Sequence, residues 1–280
     1  MRVGLIAVAN ISTTSEYICN MNWIDTHAHV YLPAFEEDQN EWIERAKAQG
    51  IKKIFLPNID LESIPRMLTL EAREPSFFIP MMGLHPCDVK DDYEQVLAEM
   101  EVWWDKRDFA AVGEIGIDLY WDKTTLPIQQ KAFIRQIEWA LKKDKPIVIH
   151  ARESFKEIFE ILDEYKDSGL TGIFHCFTGS IQDAQKIMNY KTFMMGIGGV
   201  VTYDRAKIMK VLADVPAEFL VMETDSPFLP PVPHRGQRNE SSYIPIIAQK
   251  IAEAKNMRIE DVAAITTANA NKIFQQKEMA

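Results

Sequence analysis

Two histidines one residue apart, His27 and His29, close the run Trp23-Ile24-Asp25-Thr26-His27-Ala28-His29. If that run is extended, side chains at i and i+2 leave the same face, and the two imidazoles converge on one point. Such a pair suits a divalent cation, although two hydrogen-bonded core histidines would share the spacing. The rest of the chain decides between these readings. His85, Glu114, His150, His175 and Asp225 each follow a short apolar run, as His150 follows Pro146-Ile147-Val148-Ile149 and Glu114 follows Ala110-Ala111-Val112-Gly113. A catalytic divalent ion takes three or four imidazole and carboxylate ligands and keeps a position open for water or substrate. There are enough here for two ions. His27, His29, Glu114 and Asp225 would hold one, and Glu114 would bridge to a second held by His150 and His175. Asp225 or Glu114 alone reads better as half of a salt bridge, but their recurrence on successive apolar runs does not.

The elements that must position these groups are legible as an alternation. Apolar or β-branched runs fall near residues 23–29, 53–58, 77–84, 109–115, 146–151, 171–176, 192–197 and 218–225. Between them lie helical spacings such as Phe133, Ile137, Ala140 and Leu141, or Phe155, Ile158, Phe159 and Leu162. Eight strand-then-helix repeats imply an α/β fold, a closed (β/α)8 TIM barrel, with a doubly wound open sheet as the alternative. Ser242 to Ala254 and Ile259 to Phe274 read as two extra C-terminal helices that complete the outer ring. The ligand candidates then sit at the carboxyl ends of the strands, the face where barrel active sites lie. Strand phase puts Val148, His150 and Arg152 on one face, as it does Ile173 with His175, and Val221 with Glu223 and Asp225. Cys176 should therefore point outward, into helix packing. Asp25, a layer below His27, is expected to orient an imidazole from behind.

Composition sets the remaining limits. The 280 residues are 47% hydrophobic and 26% charged, with no low-complexity tract or linker, as for one large domain over residues 21–280. Residues 1–20 precede a second methionine, Met21, and read as an extension outside the core. Their apolar run at residues 3–9 is too short to span a bilayer and makes a poor signal peptide. A net charge of −10 argues against a broad basic surface for nucleic acid or membrane, but leaves room for a local basic mouth. Three cysteines without a Cys-x-x-Cys fit a reducing, cytoplasmic setting. No membrane or obligate protein partner is indicated.

These motifs, in this order, resemble the TatD family of metal-dependent deoxyribonucleases, within the amidohydrolase-like barrels. The resemblance runs from Ile24 to about Phe274. It rests on Ile24-Asp25-Thr26-His27-Ala28-His29, Gly83-Leu84-His85-Pro86, Gly113-Glu114-Ile115-Gly116-Ile117-Asp118, Ile149-His150-Ala151-Arg152, Phe174-His175-Cys176-Phe177-Thr178-Gly179 and Glu223-Thr224-Asp225-Ser226-Pro227. Pro233-His234-Arg235-Gly236-Gln237-Arg238-Asn239-Glu240 also matches, but Ser241 stands where the family usually has proline, at a helix start. Each motif alone is weak.

The resemblance implies a barrel with two divalent cations that hydrolyses phosphodiesters in DNA, often from a 3′ end, with His85 and Asp225 functional beside the ligands. The residue chemistry agrees with that reading. Paired cations steady both the attacking and leaving oxygens of an in-line displacement, and Asp225 is the expected general base. His85 and Arg152 are assigned to the scissile phosphate, and Arg235 and Arg238 to a flanking one. Tyr120 and Trp121 are either packed loop residues or stacking surfaces for bases. Magnesium, manganese or zinc would each suit the site, and the expected substrate is DNA, single-stranded or at ends. A related hydrolase of an ester or amide, such as an aminoacyl ester on tRNA, is the alternative; a non-enzymatic barrel is disfavoured because no ligand is replaced.

Overall fold

The computed structural model describes residues 21–204 and 207–274. Eight short parallel strands follow one another in space as in sequence: β1 (Trp23–Asp25), β2 (Ile51–Leu56), β3 (Phe78–Pro80), β4 (Val112–Asp118), β5 (Ile147–Arg152), β6 (Gly172–Phe174), β7 (Phe193–Ile197) and β8 (Leu220–Met222). Continuous ladders join β1 to β3 and β4 to β8. Single parallel bridges, Met82 to Val112 and Ala28 to Ser226, join the two arcs into a ring. Backbone bonds reinforce both seams, Gly113 N–H to Met82 O at 2.9 Å and Asp225 N–H to His27 O at 2.9 Å. The architecture is the expected (β/α)8 TIM barrel, and the open-sheet alternative falls because the sheet keeps no free edge.

Nine α-helices surround it among the described residues: α1 (Gln39–Ala48), α2 (Ile64–Arg73), α3 (Tyr93–Lys106), α4 (Leu126–Lys143), α5 (Phe155–Glu164), α6 (Ile181–Tyr190), α7 (Ile208–Asp214), α8 (Ile244–Lys255) and α9 (Ile259–Phe274). Their apolar stripes meet the outer face of the strands in a core that includes Trp23, Trp42, Trp104, Phe78 and Phe133. Inside the ring, Ile24, Phe55, Met81, Ala111, Val148, Ile173, Met194 and Val221 form a separate apolar layer, one residue from each strand or its immediate flank. The last helix does more than complete the outer ring. Ala270, Ile273 and Phe274 of α9 join that inner layer, and Phe274 stacks on Phe55 at 3.7 Å.

Several strands are shorter than the apolar runs suggest. β1, β6 and β8 end at Asp25, Phe174 and Met222, so His27, His29, His175 and Asp225 lie on the segments just beyond. β4 does the reverse and continues past Glu114 to Asp118. No helix among the described residues is long and apolar enough to cross a membrane. The proposed extension at residues 1–20, with Cys19, lies outside the described residues.

Candidate metal centre

His27 Nε2 and His29 Nε2 stand 3.2 Å apart. Both face Glu114 Oε2, at 3.1 and 3.3 Å, and Asp225 Oδ1, at 3.7 and 3.6 Å. Ligand atoms about 2.0–2.1 Å from a tetrahedral zinc-like ion lie about 3.3–3.4 Å from one another. The four side chains therefore already have the mutual spacing of a coordination shell. The other oxygen of Glu114, Oε1, faces His150 Nδ1 at 2.8 Å, His85 Nε2 at 3.4 Å and His175 Nε2 at 3.8 Å. Glu114 thus turns one oxygen to each group, as a bridging carboxylate must. Buried and without a hydrogen-bond partner in the cluster, among the described residues, are His27 Nδ1, His175 Nδ1 and Glu223 Oε2. Among the described residues three sets meet the spacing a cation requires: His27, His29 and Glu114; His85, Glu114 and His150; and His27, His175 and Glu223. Imidazole and carboxylate donors in a buried cluster fit a divalent transition ion or magnesium.

The imidazoles are not presented alike. Tyr31 O–H donates to Pro57 O at 2.6 Å, so its oxygen accepts from His29 Nδ1–H at 3.1 Å and leaves the His29 Nε2 lone pair aimed inward. His150 Nε2–H points at Asp118 Oδ2, 2.8 Å away, which frees Nδ1. His175 Nδ1 lies 2.9 Å from Glu223 Oε1, an ion-pair contact that leaves Nε2 turned toward Glu114. His85 is the exception. Its Nδ1 accepts from Cys87 N–H at 3.1 Å, so the neutral ring carries its proton on Nε2, 3.3 Å from His150 Nδ1. His85 therefore offers the site an N–H, and His29, His150 and His175 each turn one nitrogen to it, which in His150 and His175 becomes a ligand once a proton is displaced.

Protonation follows the same plan. Burial opposes ionisation of Glu114, but the imidazoles of His27, His85 and His175 outweigh it and hold the carboxyl well below its ordinary value. Burial pushes the Asp225 carboxyl up to about 6, against the pull of His175 and His29. Burial likewise disfavours a charged His175, yet the carboxylates of Glu223, Glu114 and Asp225 carry it up to about 10. His27, desolvated beside His175, is lowered well below the imidazole range.

Local backbone aims these groups. Glu114 sits where the β4–β5 register slips between Val112 and Ile115, an irregularity of the kind that re-aims a side chain. A Cβ at Gly113 would lie 2.7 Å from Val148 Cβ, and one at Gly196 would lie 2.1 Å from Glu223 Oε2. Only glycine leaves β4 close to β5 and gives the Glu223 carboxylate its space. Asp25 acts differently from expectation. It accepts from backbone His27 N–H and Thr224 N–H and from the hydroxyls of Thr224 and Ser241, at 3.3, 3.0, 2.6 and 2.7 Å. It ties the ligand-bearing segments after β1 and β8 together and holds no imidazole, and burial raises its carboxyl to about 7. Ser241, at the position of the family's proline, is fully buried in this network.

A cavity of about 430 Å³ opens on the cluster, lined by His150, Arg152, His175, Cys176, Asp225, Phe228 and Leu229 among others. A larger groove of about 750 Å³ between α1 and α8 contains none of the six candidate ligands, so the chemistry belongs to the smaller one. Cys176 corrects the strand-phase reading. β6 has ended two residues earlier and Cys176 has φ +44°, so alternation no longer applies and the residue lines the cavity. Arg152 stacks on Tyr120 at 3.7 Å, and Arg235 on Tyr203 at 3.9 Å. Arg238 is engaged elsewhere: it donates to both Asp38 oxygens at 2.7 Å and to Ala34 O at 2.6 Å, and lies over Phe35. That corrects its assignment to a phosphate, because the guanidinium fork is already matched to a carboxylate. Tyr31, Asp118 and Glu223 are further parts of the site, each holding an imidazole of the cluster from behind. Each was signalled by phase: Tyr31 continues His27 and His29 at i+2, Asp118 follows Glu114 by four along one strand, and Glu223 precedes Asp225 by two.

With this geometry in place, likeness to known proteins becomes informative. The family model described as TatD related DNase matches residues 24–275. The metal-dependent hydrolase YabD of Bacillus subtilis is 39% identical over 252 residues, 90% of this chain and 98% of that protein. The metal-dependent hydrolase TatD of Mycobacterium tuberculosis is 31% identical over 259 residues, 90% and 97% of the two chains. Among solved structures, YjjV, a TatD homologue of Escherichia coli, superposes with a TM-score of 0.85 at 28% identity, covering 90% of this chain and 98% of that one.

Proposed function

Since this chain belongs to the TatD family of metal-dependent hydrolases, we propose that its centre holds two divalent cations and hydrolyses phosphodiester bonds in DNA, removing nucleotides from a 3′ end. The observation that carries the reading is the odd imidazole. Beside a cage of imidazoles and carboxylates, His85 presents an N–H, and Arg152 lines the cavity that opens on the cluster. A donor and a guanidinium next to a metal cage suit the non-bridging oxygens of a phosphate.

Cations bound there supply charge neutralisation at the phosphoryl group and acidify water enough for attack at neutral pH. His27, His29, Glu114 and Asp225 would hold one, and His150 and His175 with the other oxygen of Glu114 would hold the second. The Asp225 carboxylate takes a proton from the attacking water, whose oxygen forms the new bond to phosphorus. The bond from phosphorus to the 3′-oxygen of the preceding nucleotide breaks, and that oxygen leaves with a proton from solvent. His85 Nε2–H and Arg152 orient the phosphate for in-line attack, with Arg235 placed for a neighbouring phosphate. An ester or amide hydrolase would need the same cage but no guanidinium groups about its mouth. The test is release of mononucleotides from a 3′-labelled and a 5′-labelled single-stranded oligonucleotide, compared with an aminoacyl ester and a cyclic amide, each with added metal.

A further inference from the structure

Seven large hydrophobic side chains are exposed among the described residues, and five of them lie on two loops that flank the metal centre. Tyr120 and Trp121, 50% and 73% exposed, follow β4; Phe228, Leu229 and Val232 follow β8. Scattered exposed apolar residues are ordinary, but aromatic rings gathered around one mouth of an acidic protein are not. Both groups are held rather than loose. Asp118, which also receives His150, accepts Tyr120 N–H at 2.9 Å, and Arg152 covers the Tyr120 ring and approaches Trp121 at 5.5 Å. On the other side Asn239 donates to Phe228 O at 2.6 Å and Tyr203 O–H to Pro230 O at 3.0 Å. Leu229 is fixed at φ +50°, costly for a bulky side chain, and still faces the cavity. Phe228 lies edge-on to the His29 ring at 6.1 Å.

We propose that Trp121 and Phe228 are specificity residues, two jaws that stack on the bases on either side of the phosphate being cut. The occupant is a DNA strand with unpaired bases, since the jaws offer flat apolar faces and Arg152, which lies over Tyr120 and near Trp121, sets a cation for the sugar-phosphate chain among the rings. The inference rests on the phosphodiester reading and deepens it.

The test compares two single-stranded oligonucleotides of equal length and charge, one ordinary and one with base-free sites at its three 3′-terminal positions. Wild type should cut the ordinary strand with a kcat/KM about 5- to 150-fold higher, the range expected for one stacked base. Trp121→Ala and Phe228→Ala should lose that preference mainly through KM, and Trp121→Phe and Phe228→Tyr should restore it. Trp121 is too exposed for its loss to unfold the barrel. Equal kcat/KM on both strands by an active wild type, or unchanged preference in both alanine variants, overturns the jaws and leaves phosphodiester hydrolysis standing. No cutting of either strand overturns both.

Discussion

Two layers of side chains share the barrel interior, two residues apart along the strands, and have opposite chemistry. The lower layer, from Ile24 round to Val221, is wholly apolar and sealed by Phe274 and Ile273 of α9. The upper layer replaces Val148 with His150, Ile173 with His175 and Val221 with Glu223, and on β4 and β7 it uses glycine, at 113 and 196. The difference shows how a barrel carries a charged centre. An apolar floor excludes water from below, which strengthens every electrostatic interaction above it, and glycines provide the volume the carboxylates occupy. The lower layer should tolerate loss of packing without loss of metal, and the upper layer the reverse.

The sharpest break is Glu114→Ala. One oxygen of Glu114 faces each ligand set, so the variant should lose most metal at both positions and with it all measurable turnover, read by elemental analysis after reconstitution. Asp225→Asn should lower kcat by about a hundredfold or more, the usual range for a lost general base, while retaining DNA binding by fluorescence anisotropy. Ile173→Ala, in the lower layer, should cost about 2–5 kcal/mol in denaturant unfolding yet leave metal stoichiometry unchanged. Unequal titration within the upper layer gives a subtler check. His175 and His150 are held above the ordinary imidazole value, so each binds a proton that a cation must displace. Metal uptake should release protons near neutral pH, and affinity should fall as pH falls, both measurable by calorimetry in buffers of different ionisation enthalpy. The smallest effect is at the rim. Arg235→Ala should flatten the dependence of DNA binding on salt by a slope of about one, whereas Arg238→Ala should leave the slope alone and loosen its loop from Asp38.

Much of this contrast was readable in the chain. Alternation of apolar runs and helical spacings gives eight strands in order, because the period of two separates inward from outward residues wherever the backbone is regular. The six ligand candidates stand out because polar residues so regularly follow apolar runs. Reading failed where regularity ends. Cys176 lies beyond the end of β6 with a positive φ, so parity no longer reports its direction. Arg238 carries the residue type for phosphate, but its partner Asp38 is 200 positions away in sequence. Asp25 shares the ligand face, yet its partners Thr224 and Ser241 come from the opposite end of the chain and meet it only when the ring closes. His85 was set apart from the ligands by its motif, but the tautomer that gives it an N–H depends on the backbone of Cys87.

The proposed activity, metal-dependent cleavage of DNA phosphodiesters at this cluster, stands or falls on one experiment. The direct measurement is the time course of mononucleotide release from a single-stranded oligonucleotide labelled at its 5′ end, by protein stripped of metal and then reconstituted with magnesium, manganese or zinc. Progressive shortening from the 3′ end that requires added metal and disappears in Glu114→Ala is the expected result. Protein that elemental analysis shows to be fully loaded, and that leaves every such strand intact while hydrolysing an ester or amide, would contradict it.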